Sequence, residues 1–312
     1  MLVVTYRKIF FILSALIVGA SLTAVLVFGV TFGIEFTGGE LISVSYEDLP
    51  NGQAGRPEKG VIEAQLDTVG VGAYSLRAAG EDEYILRVRP LEVDERENVF
   101  AAMTILLDAG EEDATIGAIE RFNAVGPTIG EELRNKAWIA LAAVMFAIIV
   151  FIAIAFRKVS EPVSSWKYGV IAIIALLHDV IVPTGVFAAL GYYLGAEVDV
   201  LFVMALLAIL GYSVNDTIVV FDRVRENLRR NEETNRKEDF ELTVGKSLEQ
   251  TYMRSINTSV TTLLVLLALF FVGSEVTQDF ALVLITGVLA GTYSSLFLAT
   301  PLLVTVQKWA GK

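Results

Sequence analysis

The chain has 312 residues, 54% hydrophobic and 19% charged, with a net charge of -12 and a mean hydropathy of +0.60. Residues 31–136 hold 21 acidic and 9 basic side chains, which accounts for the whole net charge; the rest is neutral and strongly apolar. These values exclude a single soluble globule, a disordered chain and a basic nucleic-acid binder, and the lack of cysteine excludes disulfides and thiolate chemistry.

A membrane-crossing helix needs about 20 predominantly apolar residues. Ile9–Val30 meets this first. Arg7 and Lys8 precede it as in a signal peptide, but the apolar run exceeds a cleavable core of about 7–15 residues, so it reads as an uncleaved anchor. Between Leu41 and Val125 the pattern shortens and alternates. Leu41–Tyr46 reads as a strand and Glu58–Val69 as a helix opened by Pro57. Tyr74–Arg77 and Tyr84–Arg89 read as strands joined at Gly80–Glu83. Val93–Ala109 has helical spacing, and Thr115–Phe122 supplies a last strand. This order is the split-βαβ, ferredoxin-like arrangement. Five more spans follow at Ala137–Phe156, Tyr168–Leu194, Val198–Phe221, Ile256–Gly273 and Phe280–Val306.

The expected fold is a polytopic α-helical membrane protein. Residues 1–30 form the first span, 31–136 an α+β domain, and 137–312 the other five spans, with an amphipathic segment at 222–251. Basic residues mark the cytoplasmic side. Arg7, Lys8, Arg157, Lys158, Lys167, the run from Arg223 to Arg254, Lys308 and Lys312 share one side; the short connections opposite carry Glu197, Asp199, Glu275 and Asp279 and no Lys or Arg. Both termini are therefore expected in the cytoplasm and residues 31–136 outside it. The 222–251 segment reads as an amphipathic helix lying on anionic lipid.

Ionisable groups inside a span cost roughly 2.5–3.5 kcal/mol each at the helix centre, so each needs a reason. Asp216, within GYSVNDTIVVFD, is the strongest candidate, with Asn215 and Thr217 beside it. A carboxyl in low dielectric can change protonation near neutral pH and so carry a proton; the alternative is a protonated interhelical hydrogen-bond partner. Arg254 stands just before the fifth apolar run, and Asn257, Thr258, Thr261 and Thr262 continue from it as a polar stripe. That stripe fits a proton or water path, or ordinary helix packing. His178 and Asp179 lie near the middle of the third span, with Pro183 expected to kink or break the helix. Gly191/Gly195 and Gly287/Gly291 have the G-x-x-x-G spacing of close helix contacts. No nucleotide-binding glycine fingerprint occurs.

Five blocks together are familiar: GIEFTGG (Gly33–Gly39), VGPTIGEEL (Val125–Leu133), LLHDVIVPTG (Leu176–Gly185), GYSVNDTIVVFDRVREN (Gly211–Asn227) and RSINTSVTTLL (Arg254–Leu264). They resemble the SecF family, the smaller membrane subunits of the protein-export accessory complex in the SecD/SecF group, related to the resistance–nodulation–division (RND) transporters. The resemblance implies half of an RND-type bundle in the cytoplasmic membrane. It also implies a six-span SecD partner, the SecYEG channel, an unfolded translocating client and YajC as a further neighbour. Use of the proton gradient would promote late translocation, with no enzymatic step and no cofactor or metal. It places a proton-relay carboxylate at Asp216 and a functional arginine at Arg254, with Asn215, Thr217, Asn257, Thr261 and Asp179 as supporting polar groups. Glu35 departs from the aspartate usual in the first block. The competing readings are a half-size RND-type exporter of small molecules or lipids acting as a homodimer, and an intramembrane hydrolase; the latter lacks a GxGD context and any Ser–His or His–zinc set.

Overall fold

The structure is a computed structural model that describes residues 2–46, 56–79, 82–106, 115–156 and 164–310. Gly80, Leu107, Ala109, Arg157, Lys158 and Lys312, used in the reading above, lie outside the described residues. The chain forms two compact units, Phe32–Ala137 and Met1–Thr31 with Trp138–Lys312.

The first unit is the α+β domain. Its elements are β1 (Gly39–Tyr46), α2 (Lys59–Val69), β2 (Tyr74–Ala79), β3 (Glu83–Val88), α3 (Val93–Thr104), β4 (Ile105–Leu106) and β5 (Thr115–Val125), with α1 reserved for the first span, Arg7–Phe28. The sheet is antiparallel, in the order β2-β3-β1-β5-β4. β1 sits between β3 and β5, and Ile42, Val44 and Tyr46 alternate onto one buried face with Leu86, Ile62, Leu66, Val99 and Met103. The Tyr46 hydroxyl donates to the Met103 carbonyl at 2.6 Å, tying sheet to helix. α2 ends at Gly70, whose left-handed φ of +75° suits a residue without a Cβ. α3 begins where Glu95 accepts the Glu92 N–H and the Arg89 fork; that hydrogen-bonded guanidinium holds the Glu95 carboxyl down at about 2.

α3 is shorter than its periodicity predicts. Helix Val93–Ala109 is expected, but the helix stops at Thr104 and Ile105–Leu106 pair with Thr115–Ile116 as an extra edge strand. Two backbone partners on β5 outweigh continued helical spacing there. β5 in turn runs past Phe122 to Val125, with a bulge opposite Ser43/Val44. The two glycine-rich blocks also meet here. A Cβ on Gly38 would lie 2.8 Å from the Pro127 Cα, and one on Gly130 would lie 2.8 Å from the Gly38 N.

Among its described residues the domain holds one buried charge that its sequence pattern does not announce. Glu40 on β1 is 2% exposed and receives two hydrogen bonds from Arg96 and one, at 3.2 Å, from the Leu91 N–H. Glu40→Gln halves the charge-assisted pairing while keeping the volume. Because Arg96 retains some access to water, the expected cost is about 2 kcal/mol, short of a fully buried broken pair. Hydrogen exchange at the β1 amides measures it, and unchanged protection would refute the assignment.

The second unit is the bundle. Among the described residues six helices are long and apolar enough to cross a membrane: α1 (Arg7–Phe28), α4 (Pro127–Ala155), α5 (Ser165–Leu194), α6 (Val200–Glu233), α7 (Phe240–Val272) and a sixth running Thr277–Trp309. The sixth comprises α8 (Glu275–Tyr293), a π-helical turn at Ser294–Ala299 and α9 (Thr300–Ala310). The fold is thus a six-span helical membrane protein. α5, α6 and the sixth span are half buried or more, whereas α1, α4 and α7 are mostly exposed. Three differences from the sequence reading matter. Of the kink or break expected at Pro183, the break does not occur, since α5 continues through it. Gly191/Gly195 is not a helix-packing pair: Gly195 is the left-handed cap ending α5, at φ +67°, and Gly191 lies against the Ala196 carbonyl.

The third difference is the 222–251 segment. In place of a helix on the lipid surface, α6 runs unbroken to Glu233 and α7 starts at Phe240, making a hairpin. Amides hold the two arms to each other: Asn227 donates to Ser247 (2.8 Å) and Gln250 (2.9 Å), Arg223 to Gln250 (2.6 Å), and Asn231 to Thr243 (3.1 Å). Polar residues that looked lipid-facing by pattern find each other instead. At the foot of α7, Glu241 pairs with both Arg7 and Lys308, joining the two ends of the chain.

Candidate functional site

Polar side chains converge where α5, α6 and the sixth span meet. Gly287 and Gly291 make a groove on α8 that receives Ile209 and Ser213 of α6; a Cβ on Gly287 would lie 2.1 Å from the Ile209 Cδ1, and one on Gly291 would lie 2.9 Å from the Ser213 Cβ. This approach, allowed by the small residues, sets Ser213 against Asp179 of α5. Asp179 is fully buried; its Oδ2 accepts the Ser213 and Ser294 hydroxyls, the latter at 2.7 Å, and His178 Nδ1 lies 2.8 Å from its Oδ1. The next residue, Ser295, shares a proton with Thr217 at 2.9 Å and reaches the Ser213 carbonyl at 3.4 Å. Successive serines serve two helices at the start of the π-helical turn, a local widening that recurs at functional sites.

Asp216 stands one turn beyond Ser213 on the same face of α6. It is 4% exposed, and its Oδ2 and the buried Oγ of Ser255 on α7 are near enough to act on one another without forming a well-aligned hydrogen bond. Ser255 and Arg254 are the α7 groups that act on this carboxyl. Nearby, Tyr212 donates to Ser259, which shares a proton with Thr292, so a hydroxyl zipper fastens α7 to α6 and α8.

The site residues expected from sequence therefore separate. Asp216 is buried on α6 and Arg254 exposed on α7, Thr217 turns inward to the sixth span, and Asp179 anchors the deeper network. Asn215, Asn257 and Thr261 are exposed, as are Arg254 and Thr258, so they form an outward polar face. Ser255, Tyr293, Ser294 and Ser295 were not singled out by sequence. Their only signal is a pair of serines in an apolar run, which is common in membrane helices. Chemically, a carboxyl buried at this depth is a group able to exchange a proton.

The pattern described as protein export membrane protein SecD/SecF, C-terminal, matches residues 108–309. The chain belongs to this family. It is 40% identical to protein translocase subunit SecF of Thermobaculum terrenum, over 99% of this chain and 94% of that one. The SecF of Anaerolinea thermophila is 35% identical, over 96% of this chain and 91% of its own. The crystal structure of SecDF, a translocon-associated membrane protein from Thermus thermophilus, matches with a TM-score of 0.78 and 31% identity over 99% of this chain. The chain spans 38% of the length of that SecDF chain. A SecDF structure in a super-membrane-facing form matches over the same share with a TM-score of 0.63.

Proposed function

We propose that this protein is the smaller membrane subunit of the Sec export accessory machinery, pairing with a SecD-like six-span protein and using the proton gradient to promote late translocation through SecYEG. In this reading Asp216 loads and releases the proton, Arg254 tunes its charge, and both termini face the cytoplasm with residues 31–136 on the far side. The unfolded client, membrane lipid and YajC are the remaining neighbours. No step is enzymatic.

The observation that carries the reading is the unfinished polar face of α6 and α7. Asn215 on α6 and Arg254 and Asn257 on α7 are exposed, while Asp216 is buried between them in sequence order on α6. An amide or guanidinium left against hydrocarbon is costly, so this face calls for a second bundle with polar groups of its own. The SecDF match, of which this chain is 38%, supports a larger whole. Mild solubilisation from native membranes and mass spectrometry of what copurifies is the test. A stoichiometric SecD-like protein is expected; a homodimer with no such partner would favour an exporter of small molecules or lipids.

A further inference from the structure

Asp179 was expected only as a supporting polar group and His178 in no role, yet they form a buried pair whose outer ring nitrogen has no hydrogen-bond partner. Asp179 Oδ2 is closed by two hydroxyls and Oδ1 by His178 Nδ1, so the carboxyl is surrounded by donors. On the other side of the ring, His178 Nε2 is buried with no hydrogen-bond partner. A knot that served only to fasten helices would be closed at both ends. We propose that the His178–Asp179 pair is a second proton-binding centre of the bundle, loaded at His178 Nε2 from water.

The steps balance simply. On loading, hydronium gives its proton to the Nε2 lone pair, an N–H bond forms, and the imidazolium neutralises the Asp179 carboxylate. On unloading, that N–H bond breaks and the proton returns to water. The ring keeps its Nδ1–H on Asp179, and the single negative charge is held by the Ser213 and Ser294 hydroxyls. Ser294 suits both states because it has a second acceptor, the Gly291 carbonyl at 3.1 Å. Pro183 adds a spare acceptor at the same level, since it has no N–H to give the Asp179 carbonyl one turn earlier.

The groups facing the ring leave it as the charge-changing element there. From α8, Tyr293 stacks on it with centroids 5.8 Å apart, its hydroxyl donating to the Phe10 carbonyl and receiving Ser14. α1 meets that hydroxyl through Phe10 and Ser14, and its charged residues are Arg7 and Lys8 in the first turn. α6 presents Ser213, with Asp216 one turn on, and the π-helical turn presents Ser294. α9 carries a single charge, Lys308, which is paired with Glu241.

His178 is the sole histidine of the chain, so its ring can be observed alone. The full-length protein, labelled with ring-15N histidine and placed in lipid nanodiscs, is followed by nitrogen NMR between about pH 5 and pH 9. The wild type is expected to pass from two protonated nitrogens to protonation at Nδ1 only. Asp179→Asn is expected to lose the doubly protonated form at a pH where the wild type shows it. Ser294→Ala, a smaller change, is expected to move the pH at which the ring changes form. A ring held in one form across the range overturns the proposal without any variant being needed. So does an Asp179→Asn or Ser294→Ala spectrum identical to the wild type. The readout needs neither a partner nor export, so it stands or falls apart from the relay role of Asp216.

Discussion

Asp216→Asn is expected to abolish the gradient-dependent part of protein export while leaving the chain inserted and associated with its partner. The substitution keeps the volume and one carbonyl oxygen, and the residue is 4% exposed among Val220, Thr217 and Ser213 on its own helix, so packing is conserved. What disappears is the ability to change charge. A carboxyl held in a low-dielectric site can gain or lose a proton as its surroundings alternate. An amide beside Arg254 has one state. The loss should be complete rather than graded: at least about tenfold in gradient-stimulated translocation, corresponding to some 1.4 kcal/mol of coupling or more. Translocation into vesicles with and without an imposed proton gradient measures it. Normal stimulation in Asp216→Asn, with normal partner levels, would end the relay assignment.

The residues that made this prediction possible were visible in sequence because charge is rare in an apolar run. Asp216 and Arg254 stood out for that reason, and so did the six spans and the order of strands in the α+β domain. What escaped was decided by packing rather than by composition. Serine is ordinary in membrane helices, so nothing marks Ser294 and Ser295 until the π-helical turn points both inward, one to Asp179 and the other to Thr217. Asn215 adjoins Asp216 in the chain, yet a helix turns successive residues by about 100 degrees, and it faces out while Asp216 faces in. The Gly287/Gly291 and Gly191/Gly195 pairs have identical spacing; only the first receives a helix, because the second falls at the end of α5. The 222–251 segment has the pattern of a surface helix, and partners on the opposite arm, such as Asn227 with Ser247, redirect it into a hairpin.

Thr258→Trp should separate the chain from its partner without unfolding it, and this is the second large effect the structure supports. Thr258 lies on the exposed face of α7, between Arg254 and Thr261, and its hydroxyl is already satisfied by the Arg254 carbonyl at 2.9 Å. Thr261 likewise donates to the Asn257 carbonyl at 3.0 Å. These threonines could therefore sit against lipid at little cost, so their presence alone does not decide what covers them. Asn257 and Arg254 favour a protein cover, since an exposed amide and guanidinium on the same stripe are poorly placed against hydrocarbon. If a second bundle covers the stripe, an indole at Thr258 has no room and recovery of the SecD-like partner falls by about tenfold or more, while Thr258→Ser restores it. If lipid covers it, an added aromatic ring is harmless and recovery is unchanged. That outcome would remove the two-bundle assembly, whereas Asp216→Asn tests the proton step within it, so the two experiments fail independently.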